Sequence, residues 1–249
     1  MFSRPHLSVV IPAFNEQDRL PASLERIDAY LRAQGIDSEI LVVDDGSTDR
    51  TAALAGEFLR GRSGRVISLA ENRGKGAAVR RGVLESQGRW VLMTDADLSA
   101  PIEEHLKLAA TARDDDVDIV IASRGLKDSR IEVRQAWVRQ TLGKTFNVLM
   151  RGMTGLPFRD SQCGFKLMDR TRVIPLFEKM VVDRFAFDIE LLYLAVRFKL
   201  TVREIPVVWR NEPSSRVNMF IDPINMLWDI VRVRWRFRAG AYNPDNTTA

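Results

Sequence analysis

Cysteine is nearly absent from this chain: its 249 residues include one, Cys163. No internal disulfide can form, so a reducing compartment is the natural setting. Histidine is almost as scarce, with only His6 and His105, which excludes a histidine-rich zinc centre. A catalytic metal would have to rest on carboxylates. Nowhere do about 18 apolar residues run together, so no helix is expected to span a bilayer. Met1–His6 is short and polar, and the apolar run Leu7–Ile11 stops at Pro12, too short for the core of a secretion signal. Charge of either sign is in small excess: 37 Lys and Arg against 33 Asp and Glu leave +4. That says little about partners until it is located, and no nucleic-acid partner is expected. Repeats, low-complexity tracts and linkers are lacking too. The expectation is a cytoplasmic protein that is free in solution or sits on a membrane surface.

What is present is an ordinary globular balance, 45% hydrophobic and 28% charged, enough for a full core. Short apolar runs alternate with helical patterns. Leu7–Ile11, Glu39–Val43, Arg65–Leu69, Trp90–Thr94 and Asp118–Ala122 read as strands. The segments between them read as helices: one carrying Leu20, Leu24, Ile27 and Leu31, then Thr51–Leu59, Gly76–Ser86, and one from Pro101 to Arg113. Continuous apolar strands separated by helices imply a doubly wound, mostly parallel sheet covered on both faces, an α/β fold of Rossmann-like type. Its ligand crevice is expected at the carboxyl ends of the strands; the strand order is left open. Beyond this half, 124–133 reads as a polar loop, 137–150 as a helix, 155–164 as a loop and 187–198 as a helix. Val202–Val208 reads as an edge strand, because Pro206 interrupts it. One domain over 1–249 is expected, with a first half to about 125, a second over 126–221 and a terminal helix over 222–240.

The carboxylates fall immediately after the strands. Pro12-Ala13-Phe14-Asn15-Glu16, Asp44-Asp45-Gly46-Ser47-Thr48-Asp49 and Asp95-Ala96-Asp97 are three acidic junctions at one sheet edge. So many like charges in one crevice require a cation or hydrogen-bond donors in compensation. Asp95 and Asp97 alternate on an extended chain, so both can share Mg²⁺ or Mn²⁺; read locally, Asp97 or Ser99 caps a helix before Pro101. Asp44–Thr48 reads as an Asx-type turn with Asp49 as a helix cap, or as a ribose or base contact. Asn72-Arg73-Gly74-Lys75-Gly76 is either a glycine turn into a helix or a phosphate contact, since it lacks the spacing of a nucleotide-binding P-loop.

In that order these motifs resemble the signature of inverting family 2 glycosyltransferases. Asp160-Ser161-Gln162-Cys163-Gly164-Phe165-Lys166 and Phe185-Ala186-Phe187-Asp188-Ile189-Glu190-Leu191-Leu192 resemble the dolichyl-phosphate β-glucosyltransferases, and more loosely the dolichyl-phosphate mannosyl synthases. The resemblance runs from about Leu7 to Ile230. It implies the glycosyltransferase-A fold and inverting transfer of a hexose from a nucleotide sugar to a polyprenyl or dolichyl phosphate. The alternatives it leaves are a GDP-mannose-dependent enzyme or a hydroxyl acceptor. The implied nucleotide-binding residues are Pro12, Ala13, Asn15, Glu16, Asp44, Asp45, Lys75 and Ala96, with Asp95, Asp97 and Ser99 at the metal. Mannosyl synthases have Gln where this chain has Ser99, which favours glucose from UDP-glucose.

A phosphate acceptor is already anionic and needs no base, only cations to offset its charge. Arg124, Arg130, Arg134, Lys166 and Arg216 are expected to supply them. Asp188 reads as a sugar-hydroxyl contact or helix cap, or as the base of hydroxyl-accepting relatives, and Cys163 as a packed side chain. Asp95, Asp97, Arg124, Lys166 and Asp188 are thus the expected catalytic set. From Asp222-Pro223 a helix places Ile224, Leu227, Trp228, Val231 and Trp235 on one face, with Arg232, Arg234, Arg236 and Arg238 elsewhere. This pattern suits a helix in a membrane interface; packing against the sheet, or a strand over 231–238, is the plainer reading.

Overall fold

The computed structural model describes residues 6–133, 147–210 and 221–243. Its central sheet has seven strands: β1 (Leu7–Ala13), β2 (Ser38–Asp44), β3 (Gly64–Ser68), β4 (Trp90–Met93), β5 (Ile119–Ser123), β7 (Lys166–Asp169) and β8 (Val202–Pro206). Their spatial order is β3-β2-β1-β4-β7-β5-β8. All run parallel except β7, which lies antiparallel between β4 and β5. The first five strands fall on the apolar runs of the sequence, β1 and β2 longer than expected, β3 and β5 shifted by one residue and β4 one residue shorter; in β1 every residue but Pro12 is buried.

Helices cover both faces. On one lie α1 (Leu20–Ala33), α2 (Thr51–Leu59) and α4 (His105–Asp114), which bury Leu20, Leu24, Leu59 and Leu108 with Val9, Ile11 and Val42. On the other lie α3 (Lys75–Glu85), α5 (147–154), α6 (Arg170–Lys179), α7 (Phe187–Arg197) and α8 (Ile221–Arg238). They pack Val79, Val83, Phe177, Leu191, Ile230 and Val233 on Val10, Leu41 and Val91. Each fully buried aliphatic side chain contributes about 1.5–3 kcal/mol.

Three readings of the second half are corrected. The stretch 124–133 is not all loop: β6 (Arg130–Val133) pairs with β9 (Val208–Arg210) in a separate two-stranded ribbon. Val202–Val208 is divided, β8 ending at Pro206 on the sheet edge and the chain then switching to that ribbon. Strand β7 and helix α6 went unread; Asp169 caps α6 by accepting from the amides of Thr171 and Arg172. Of the helix expected over 137–150, residues 147–150 are helical and the others lie outside the described residues.

The winding positions the site. The chain moves outward from β1 to β2 and β3, then returns to β4 on the other side of β1. Strand β4 pairs with β1 only as far as Val10, so Pro12 and Ala13 extend past it. A crevice opens there, between two strands whose crossovers leave in opposite directions.

Candidate active site

The three acidic junctions meet at this crevice, held by backbone bonds before any ligand is considered. Asp45 N–H donates to Ala13 O (2.8 Å), which ties the second junction to the first. Asn15 N–H donates to Ser47 Oγ (2.9 Å), Thr48 N–H to Asn15 Oδ1 (2.8 Å), and Glu16 N–H to Thr51 Oγ1 (2.7 Å). Asp49 is not itself the N-cap of α2, which is Arg50, but from one residue earlier it accepts from Thr51 N–H (2.9 Å) at the helix start. Ala96 O accepts from Ser23 Oγ of α1 (2.6 Å). Leu98, just after Asp97, has φ +47°, a conformation that costs a non-glycine residue free energy and persists here because its neighbours fix it.

Two cations lie against the junctions, and one of them, Arg19, bridges two. Arg19, at the start of α1, forms a fork with Glu16 (2.7 and 2.6 Å), and its other nitrogen lies 4.0 Å from Asp97 Oδ2. Lys75 Nζ lies 2.5 Å from Asp95 Oδ1. Burial alone would lower the Lys75 pKa, but Asp95 and Asp188 raise it above the ordinary lysine value, so it stays charged. Asp45 supports that lysine indirectly. Its carboxylate accepts from Arg73 N–H (2.9 Å), Gly74 N–H (2.8 Å) and Asn72 Nδ2 (2.9 Å), which secures the loop before α3. Burial nonetheless leaves the Asp45 pKa above the usual carboxylate value. Asp44 is buried beside it and accepts from Ser47 N–H (3.3 Å).

Asp95 and Asp97 each keep about a quarter of the side chain exposed, 26% and 23%. Asp97 Oδ1 accepts from Ser99 N–H (2.9 Å). Asp95 Oδ2 sits where a side chain on residue 164 would be, 2.1 Å from an ideal Cβ, so only glycine leaves room for it. Among the described residues no group of three or more His, Cys, Asp or Glu could hold a metal. Two carboxylates cannot make a closed cage. They do fit Mg²⁺ or Mn²⁺, which take remaining ligands from phosphate and water.

The second half contributes two ion pairs, one partly exposed and one fully buried. Arg124, following β5, grips Asp160 through Nε (2.7 Å), Nη2 (2.8 Å) and its own N–H (2.9 Å), and lies 4.8 Å over the Trp209 ring of β9. Burial alone would raise Asp160, but Arg124 holds its pKa below the usual range. Lys166 is fully buried, with Nζ 2.5 Å from Asp188 Oδ1 and 2.6 Å from Cys163 O. Burial pushes Asp188 up, against the pull of Lys166 and Lys75, and pushes the Cys163 thiol up to about 12, which leaves it an inert packed group. Arg130 is exposed in β6. Arg134 and Arg216 lie outside the described residues.

Sequence reasoning missed Arg19, Gly164 and Trp209. The three-residue step from Glu16 to Arg19 at a helix start was a usable signal; nothing local points to the others.

A doubly wound sheet with acidic junctions converging at its reversal point and cations facing them is the arrangement of the glycosyltransferase-A fold. The chain belongs to the family Glycosyl transferase family 2, which it matches over residues 8–177, and it is a glycosyltransferase. It is 34% identical over 249 residues to a dolichyl-phosphate β-glucosyltransferase of Dictyostelium discoideum, covering 95% of this chain and 76% of that one. It is likewise 34% identical over 254 residues to the Homo sapiens dolichyl-phosphate β-glucosyltransferase, covering 97% and 78%. The fold matches glucosyl-3-phosphoglycerate synthase from Mycobacterium tuberculosis, solved with Mn²⁺, UDP and glucosyl-3-phosphoglycerate, at TM-score 0.64 and 21% identity, covering 95% of this chain and 80% of that one.

Proposed function

We propose that the chain transfers glucose from UDP-glucose to the phosphate of a dolichyl or other polyprenyl phosphate, with inversion at the anomeric carbon. The observation that carries this reading is the state of Asp188. Hydroxyl acceptors must lose a proton to a positioned base, yet Asp188 is buried and bonded to Lys166. A phosphate monoester needs no base. Its oxygen attacks C1 as the bond to the nucleoside diphosphate breaks, and the diphosphate leaves with the bonding electrons. The protein contributes orientation and charge compensation.

In this reading Pro12, Ala13, Asn15, Glu16, Asp44, Asp45 and Ala96 form the nucleoside side of the crevice. Asp95 and Asp97, with Ser99 beside them, would hold Mg²⁺ or Mn²⁺, which would supply positive charge for the leaving diphosphate. Arg124 and Lys166, each paired with a carboxylate, are assigned to the acceptor side, and Arg130, Arg134 and Arg216 are the cations read as meeting the acceptor phosphate. The whole chain acts as one transferase domain at the cytoplasmic membrane face.

Helix α8 is read as the membrane-surface element. Met226, Ile230 and Val233 pack it on the core, while Ile224, Trp228, Val231 and Trp235 remain 67%, 74%, 45% and 68% exposed. Leu227, expected on that stripe, instead packs partly against the core. Among the described residues no helix is long and apolar enough to cross a membrane. A stripe of Trp and Ile flanked by arginines fits a bilayer interface.

The test is to incubate the protein with Mn²⁺, a polyprenyl phosphate and labelled UDP-glucose or GDP-mannose, then extract the lipid. Label from UDP-glucose is expected in the lipid phase, and Asp97→Ala is expected to abolish it while leaving the fold intact. Label entering only from GDP-mannose, or only a water-soluble product, would overturn the reading.

A further inference from the structure

Lys75 stands out because it occupies a carboxylate the proposed metal site needs. It is also unusually well fixed. Gly74 has φ +114°, and an ideal Cβ there would fall 2.5 Å from Asp183 O; one on Gly76 would fall 2.5 Å from Val182 O. The segment around Asp183 therefore presses on the backbone at both sides of Lys75, and Asp183 O accepts from Ala77 N–H (3.0 Å). With Asp45 securing the preceding loop, the backbone of Lys75 has little freedom, and its side chain reaches Asp95 Oδ1 at 2.5 Å.

The surrounding ion pairs leave acids in excess of cations, and Asp44 and Asp45 add two buried carboxylates. Glu16, Asp95, Asp97, Asp160 and Asp188 face Arg19, Lys75, Arg124 and Lys166 through the contacts described above. A divalent cation arriving alone must compete with a resident ammonium for Asp95. One arriving with a nucleoside diphosphate brings an anion onto which that ammonium can move.

We propose that Lys75 is a built-in counter-ion that holds Asp95 in the unloaded site, moves to the donor diphosphate on binding, and so makes metal and nucleotide binding mutually dependent. This rests on the reading that Asp95 and Asp97 form the metal site. The coupling is reciprocal: whatever factor UDP adds to metal affinity, the metal adds to UDP affinity. Removing the ammonium frees Asp95 for metal in the absence of nucleotide and takes away a phosphate contact in its presence.

The experiment measures Mn²⁺ binding by electron paramagnetic resonance of the free ion, with and without UDP, in the wild type, Lys75→Met, Lys75→Gln and Asp97→Asn. Wild type is expected to bind Mn²⁺ weakly alone and more tightly with UDP. Both Lys75 variants should bind Mn²⁺ alone about tenfold more tightly than wild type, a factor set by losing a partly screened cation near the site, and should lose most of the UDP enhancement. The pair guards against one variant failing to fold, which circular dichroism reports. If the folded Lys75 variants bind Mn²⁺ alone no better than wild type, the counter-ion role is overturned. If Asp97→Asn binds Mn²⁺ like wild type, the metal-site reading itself fails, whatever the Lys75 variants do.

Discussion

The fully buried Lys166 ammonium and the Asp188 carboxylate illustrate how strongly single residues are committed here. Their 2.5 Å contact, with Cys163 O as a second acceptor, offsets the cost of taking both charges out of water. Removing one partner leaves the other stranded. Lys166→Met is therefore expected to destabilise the protein by about 3–5 kcal/mol in urea unfolding, whereas Lys166→Met combined with Asp188→Leu should recover most of that loss. A single variant as stable as wild type would show that the pair is not buried as described. The same geometry alters what Asp188→Asn means: lost activity in that variant would reflect an unpaired Lys166 as much as a missing base.

At the scale of elements, α8 has two apolar faces with different work. Met226, Ile230 and Val233 attach it to the core, and Tyr242 just beyond it donates to Glu190 Oε1 of α7 (2.6 Å). Glu190 also accepts from the amides of Val181 and Val182, so the turn just after α8 is fastened to the segment that presses on Gly74 and Gly76. The opposite face is left to the solvent or a bilayer. Changing Trp228 and Trp235 together to Ser should leave the melting temperature almost unchanged, since both are exposed. It should also reduce co-sedimentation with anionic lipid vesicles by about tenfold, because two amphipathic rings no longer enter the interface. Equal vesicle binding by the double variant would remove α8 from the membrane reading.

The stability of the whole molecule should depend on pH through a joint between α1 and α4. Tyr30 OH and His105 Nδ1 are 2.9 Å apart in a buried contact. Burial lowers the His105 pKa from 6.5 to about 4. Between those values the unfolded chain takes up a proton that the folded protein refuses, so stability is full above about 6.5 and falls as pH drops toward 4. The loss is about 3 kcal/mol over that range. Urea midpoints at pH 7 and pH 5 check this: His105→Gln should show a visibly flatter dependence than wild type, and parallel curves would assign the acid sensitivity to other groups.

Local pattern alone determined the first half of this protein. Apolar runs such as Val9-Val10-Ile11 and Leu41-Val42-Val43 bury both faces, which demands a parallel sheet between helices, and that topology put Glu16, Asp45, Asp95 and Asp97 at one edge. Strand β7 escaped because four residues, Lys166–Asp169, carry too little pattern, and their antiparallel place between β4 and β5 depends on partners more than 40 residues away. The ribbon of β6 and β9 was hidden for the same reason. The tertiary structure alone decided which cation faces which acid: Arg124 with Asp160, Lys166 with Asp188, Lys75 with Asp95. Those pairings depend on distances of a few ångströms across the crevice, and composition and spacing carry the residue types but not the distances.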